Sequence, residues 1–153
     1  MLYTAEQRVR RDTTVWTLIQ GILAPIQFLV CAVSVVLVLR YLVTGLGYEL
    51  ATASILLKTL LLFIIMSTGA IWEKVVFGQY LFAPAFFWED VVSMAVIALH
   101  VAYLVALVTG AAAPVQMALA LAAYAVYVVN AVQFVLKLRA ARLDQSQRQA
   151  VAA

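Results

Sequence analysis

The chain has 153 residues, of which 67% are hydrophobic and 11% charged, and its formal net charge is +3. Soluble domains are usually about half apolar and about a quarter charged, so a soluble protein of this length could not bury so much apolar surface in one core. The composition excludes an ordinary soluble domain and predicts a helical membrane protein. The basic residues flank the apolar runs, which favours membrane-flanking charges over a nucleic-acid-binding surface.

Four apolar stretches are each long enough to cross a membrane, which takes about 20 mostly apolar residues. They are expected at about residues 15–44, 48–76, 85–109 and 114–139. Gly45 and Gly47 close the first, and Gly110 and Pro114 divide the last two, because glycine and proline favour turns. We therefore predict an all-α fold, an integral membrane bundle of four transmembrane helices. Its single domain covers residues 1–143, and residues 144–153 are expected to form a disordered cytoplasmic tail.

The distribution of lysine and arginine predicts the orientation of this bundle. With both termini in the cytoplasm, the two terminal segments and the second connection together hold eight basic residues. The two opposite connections then hold only Arg40. Because cytoplasmic segments carry the excess of lysine and arginine, we expect both termini on the cytoplasmic side.

The second connection is unusually aromatic, with seven aromatic residues among the seventeen from 72 to 88. These residues are Trp72, Phe77, Tyr80, Phe82, Phe86, Phe87 and Trp88. They are either an aromatic belt at the membrane interface or a flat apolar slot for a large planar ligand. Glu73 lies at the beginning of this connection, and Glu89 and Asp90 follow it. Carboxyl groups buried beside aromatic rings can serve as general acids.

Ionisable side chains inside a span are costly and indicate either a function or a pairing across helices. Lys58 and His100 are expected at similar depths, where they either bind a substrate or hydrogen-bond between helices. Tyr127, Asn130, Gln133 and Lys137 form a polar stripe on the fourth helix. One histidine and one cysteine cannot ligate a haem on both sides or build a structural zinc site, so no protein-bound metal is predicted.

The central run from Ile71 to Met94, IWEKVVFGQYLFAPAFFWEDVVSM, resembles the vinyl (bacterio)chlorophyllide hydratase family. The resemblance extends over Leu99 and His100, the opening 3–8 and the closing 134–142, and so covers the chain up to about Leu143. It implies addition of water to the C3 vinyl group of a chlorophyllide-type tetrapyrrole, giving a 1-hydroxyethyl group, in bacteriochlorophyll biosynthesis. It also implies no redox cofactor, a place in the bacterial inner (intracytoplasmic) membrane, and partners among other enzymes of that pathway.

Such a hydration needs an acid, a base that orients water, and a slot for the ring. We expect Glu89 to be the acid, Asp90 or Glu73 to be the base, and the seven aromatic residues to hold the ring. His100 would orient water or bind the magnesium of the substrate, and Lys58 would meet a substrate carboxylate. The alternative function is a non-enzymatic pigment-binding or assembly protein that uses His100 as an axial magnesium ligand.

Overall fold

The computed structural model describes residues 2–152, which form five α-helices and no strand. They are α1 (Ala5–Thr13), α2 (Val15–Thr44), α3 (Tyr48–Phe77), α4 (Phe87–Val108) and α5 (Ala113–Ala152). The last four each contain a stretch that is long and apolar enough to cross a membrane, which in α5 is Ala113–Gln147. The predicted fold class, an all-α membrane bundle with four spanning helices, is therefore confirmed.

The helices are joined by short connections that the local sequence explains. Gly45 ends α2 with φ at 71°, and Gly78 ends α3 with φ at 88°. Because this left-handed conformation is unfavourable for residues with a Cβ atom, glycine is the residue that stops a helix in this way. α2 and α3 thus form an antiparallel hairpin, and α4 and α5 form a second one through the turn at 109–112.

The bundle has two different ends. The turns at 45–47 and 109–112 lie at one end, which we call the turn end. The opposite end, called the loop end, carries α1, the loop 78–86 and the first turn of α4. The core between the two ends contains Val38, Ile55, Leu62 and Tyr103, whereas large apolar side chains on the outer faces of the helices are exposed, as lipid contact requires.

Two elements differ from the sequence-based expectation. α1 is a separate nine-residue helix that begins with a capping box between Thr4 and Gln7 and packs against α3. α5 does not end near 139, and residues 144–152 of the expected disordered tail continue it, while Ala153 lies outside the described residues. The segment after 139 contains alanine, glutamine and arginine but no glycine or proline, so nothing in it terminates a helix.

Four crossings bring both termini to the same side of the membrane, and the basic residues predict that this side is the cytoplasm. We expect a green fluorescent protein fused after Ala153 to fluoresce in bacterial cells. Alkaline phosphatase inserted at Gly110 should be active, because the turn end would face the periplasm. A C-terminal fusion that does not fluoresce, together with an inactive phosphatase at Gly110, would contradict the predicted orientation.

Candidate functional site

Three buried carboxyl groups lie at the loop end. Glu73 stands in the last turns of α3, and Glu89 and Asp90 stand in the first turn of α4. Their exposed fractions are 5%, 5% and 4%. The loop 78–86 brings the end of α3 to the beginning of α4 and covers the carboxyl groups, so residues far apart in sequence share one buried space.

Glu73 and Asp90 form a pair whose carboxyl groups lie close enough to interact with each other. Two carboxylates have no hydrogen to share, so a hydrogen bond between them would require a proton on one of them. The loop supplies further donors: the Phe82 N–H donates to Asp90 Oδ2 at 2.7 Å, and the Ala83 N–H donates to Glu73 Oε2 at 3.3 Å. A pair that shares one proton would carry one negative charge, and these backbone amides are placed to stabilise that charge.

The loop adopts a strained conformation at the residue that binds Asp90. Phe82 has φ at 59°, in the left-handed region that non-glycine residues adopt at a cost of about 1 kcal/mol or more. The hydrogen bond from its amide to Asp90 offsets part of that cost. The strained residue is thus the one whose amide donates a hydrogen bond to Asp90 of the carboxyl pair.

Glu89 lies beside this pair but faces a different helix. Its carboxylate forms an ion pair with Lys137 of α5, and Asn130 of the same helix donates from Nδ2 to the Glu89 backbone oxygen at 2.8 Å. The structure therefore places an ion-paired side chain where the sequence predicted the acid. Lys137 was interpreted from sequence as a membrane-flanking charge, and the polar stripe on the fourth helix was the available signal for its role.

The structure divides the seven predicted aromatic residues into two sets. Trp72, Phe77 and Phe86 pack with Tyr3 and Phe134 in a packed aromatic cluster, whose neighbouring ring centroids lie 5.6 to 6.4 Å apart. Burial raises the pKa of the Tyr3 hydroxyl, and the guanidinium group of Arg11 opposes that shift. A neutral Tyr3 therefore closes the cluster from the N-terminal segment, a contribution that the sequence did not indicate.

The other four aromatic residues are exposed at the loop end. This aromatic surface consists of Tyr80, Phe82, Phe87 and Trp88. The Phe82 and Phe87 centroids are 5.8 Å apart, and those of Phe87 and Trp88 are 5.4 Å apart. Phe82 binds Asp90 through its amide, and Phe87 stands one helical turn before Asp90. A planar apolar ligand on this surface would lie beside the carboxyl pair.

Lys58 and His100 are buried in the middle of the bundle, away from the carboxyl groups. Lys58 Nζ donates to Gln27 Oε1 and lies 3.7 Å from the centroid of the Tyr127 ring. His100 Nδ1 contacts the Val96 carbonyl oxygen at 2.8 Å, and its Nε2 has no hydrogen-bond partner among the described residues. His100 follows Asp90 by ten residues, a distance of roughly 15 Å along the helix. The structure therefore does not bring these two residues into the carboxyl site.

Comparison with known proteins gives a match over nearly the whole chain. Residues 3–140 match the family of 2-vinyl bacteriochlorophyllide hydratases. A 2-vinyl bacteriochlorophyllide hydratase of Cereibacter sphaeroides is 71% identical over 148 residues, covering 97% of this chain and 92% of that protein. One from Rhodobacter capsulatus is 68% identical over 149 residues, covering 97% of this chain and 87% of that protein. No solved structure matches.

The division of the aromatic residues predicts different stabilities for two adjacent variants. Phe86 is 1% exposed and Phe87 is 43% exposed. Phe86→Ala should lower the free energy of unfolding by about 3–5 kcal/mol, because it leaves a cavity in the packed aromatic cluster. Phe87→Ala should change it by only about 0.5 kcal/mol. Denaturant unfolding in detergent micelles measures both, and equal losses would contradict the division.

Proposed function

The chain belongs to the 2-vinyl bacteriochlorophyllide hydratase family, and we propose that its loop end is the site where water is added to the vinyl group. The protein is accordingly a hydro-lyase of bacteriochlorophyll biosynthesis with a tetrapyrrole substrate. The observation that carries the assignment of the site is the closeness of two buried carboxyl groups, Glu73 and Asp90, to each other and to an exposed aromatic surface. We infer that the two carboxyl groups share one proton.

The reaction begins with delivery of a proton to the terminal carbon of the vinyl group. The new C–H bond uses the π electrons of the double bond and leaves a cation on the inner carbon, in conjugation with the macrocycle. The Glu73–Asp90 pair is suited to this step because two adjacent buried carboxyl groups can share one proton, and neither of them forms an ion pair among the described residues. On losing that proton, the pair becomes doubly negative and stabilises the cation electrostatically.

Water then completes the addition. Its oxygen bonds to the inner carbon, and one of its protons passes to the carboxyl pair, which restores the starting state. The overall change is vinyl plus water to 1-hydroxyethyl, with no net gain or loss of electrons or protons by the protein. The same pair thus acts first as acid and then as base, which general acid–base catalysis allows for groups within hydrogen-bond reach of the reacting atoms.

This assignment differs from the sequence-based hypothesis in the role of Glu89. The carboxylate of Glu89 is engaged in an ion pair with Lys137, whereas Glu73 and Asp90 face each other and the loop amides. We therefore assign the acid to the pair and a supporting role to Glu89. His100 and Lys58 are too distant to act on the same vinyl group, and the bond from Lys58 to Gln27 supports the interhelical role that the sequence left open.

The aromatic surface is the proposed docking place for the macrocycle. Its rings are exposed at the end of the bundle where the apolar spans meet the polar connection, a depth at which amphipathic aromatic residues are favoured. A substrate dissolved in the membrane interface would reach the vinyl site without crossing the bundle. The packed aromatic cluster supports the loop from below, so Trp72, Phe77 and Phe86 shape the site rather than contact the ring.

The protein is a multi-pass membrane protein, and its proposed location is the bacterial inner (intracytoplasmic) membrane. Eight basic residues flank the loop-end side of the spans, which supports a cytoplasmic loop end. From there the product could pass to other enzymes of bacteriochlorophyll biosynthesis, the proposed partners.

The function is tested with membranes from a non-photosynthetic host that expresses the chain. These membranes are incubated with 3-vinyl bacteriochlorophyllide or chlorophyllide, and the pigment is analysed by absorption and mass. We expect a product heavier by one water molecule, which membranes without the chain do not form. Pigment that co-purifies unchanged would contradict the assignment and favour the non-enzymatic pigment-binding alternative.

Substitution of either member of the carboxyl pair should impair turnover. Glu73→Gln and Asp90→Asn preserve shape but remove the shared proton, and each should lower kcat about 100- to 10,000-fold, the usual contribution of general acid–base catalysis. Glu49→Gln is the matched control, because it removes one exposed carboxylate from α3 at the turn end. Full activity of either pair variant would exclude the pair as the acid.

A further inference from the structure

We propose that α5 supplies two positioning residues for this reaction, Lys137 and Asn130, which hold Glu89 so that Asp90 faces Glu73. The inference rests on the proposed function, because it explains how the carboxyl pair of that function is aligned. Neither α5 residue touches the reacting atoms in this account. Both act through the first turn of α4.

Lys137 contacts three groups at the junction of the loop and α4. Its Nζ pairs with the Glu89 carboxylate, donates to the Ala85 carbonyl oxygen at 2.5 Å, and lies 5.2 Å from the centroid of the Phe86 ring. Its side chain is only 26% exposed and that of Glu89 is 7% exposed. A partly buried ion pair with a further hydrogen bond has a defined geometry, so it fixes α5 to the last residues of the loop.

Asn130 holds the same residue by its backbone. Its Nδ2 donates to the Glu89 carbonyl oxygen at 2.8 Å, and its Oδ1 lies 3.2 Å from the Ser93 hydroxyl. That hydroxyl also contacts the Glu89 carbonyl oxygen at 2.8 Å. Asn130 and Lys137 are seven residues apart, about two helical turns, so they project from one face of α5. Asn130 therefore binds the backbone of Glu89, and Lys137 binds its side chain.

These contacts of Asn130 and Lys137 with Glu89 determine the rotation of α4 about its own axis. Successive residues on a helix point in directions about 100° apart. With Glu89 directed at α5, Asp90 is directed at α3, where Glu73 lies and where the loop amides reach both carboxyl groups. A small rotation of α4 would separate the pair, because a hydrogen bond tolerates little displacement of its partners.

Lys137 also balances the charge of the buried site. In the proposed function the pair carries one negative charge, and the charges of Glu89 and Lys137 offset each other. Without the ammonium group, an uncompensated Glu89 beside the pair would compete for the proton that the substrate must receive. Loss of Lys137 should therefore affect the chemical step more than the binding of the macrocycle on the aromatic surface.

The kinetic test uses Lys137→Met and Lys137→Gln, with Lys137→Arg as the conservative variant and Arg139→Met as the control. Arg139→Met removes an exposed cation from the same part of α5. We expect the Met and Gln variants to lose about 10- to 100-fold in kcat, with KM changed less than about twofold, as for a misplaced catalytic group. Asn130→Ala should act in the same direction. Lys137→Arg should recover most of the activity, and Arg139→Met should retain it.

A spectroscopic readout keeps the inference testable independently of turnover. The infrared carbonyl band of the protonated carboxyl pair is identified as the band lost in Asp90→Asn. It should shift or disappear in folded Lys137→Met and Lys137→Gln and return in Lys137→Arg. An unchanged band in the folded Met and Gln variants, or unchanged kcat, would overturn the positioning role. An inactive wild-type protein with the expected band changes would overturn the proposed function but not the alignment.

Discussion

The structure of the loop end depends on one contact, between the buried carboxyl groups of Glu73 and Asp90. Two carboxylates in a shared buried space repel each other unless a proton lies between them. That requirement explains why the loop offers amides from Phe82 and Ala83 to the pair, and why Phe82 adopts a strained conformation. A site that can retain a proton suits hydration of a vinyl group, since the reaction starts with proton delivery.

The packed aromatic cluster and the aromatic surface contribute to this site in different ways. The packed aromatic cluster joins α3, the loop, α5 and the N-terminal segment. It therefore supports the loop that lies over the carboxyl groups. The aromatic surface lies outside that cover, where a planar pigment in the membrane interface would meet it. The many aromatic residues therefore have two roles. The packed aromatic cluster stabilises the loop, and the aromatic surface offers a flat apolar face to the substrate.

Composition and hydropathy were sufficient for the four spanning helices, because lipid requires long apolar runs and because Gly45 and Gly110 interrupt them. They were not sufficient for the site. Glu73 and Asp90 are seventeen residues apart, and only the path of the loop decides that Asp90, rather than Glu89, meets Glu73. The partner of Glu89 is Lys137, which lies 48 residues further along the chain. In the sequence Lys137 looks like any other basic residue at the end of a span. α5 was expected to end near 139, since hydropathy falls there although helix-forming residues continue.

The most direct test of the account is a double-mutant cycle on hydratase activity with Glu73→Gln, Asp90→Asn and the combined variant. If the two carboxyl groups act as one proton-holding unit, the losses are not additive, and the double variant is about as active as the poorer single variant. If the two losses multiply, the groups act independently. That result would contradict a shared proton as the source of the acid.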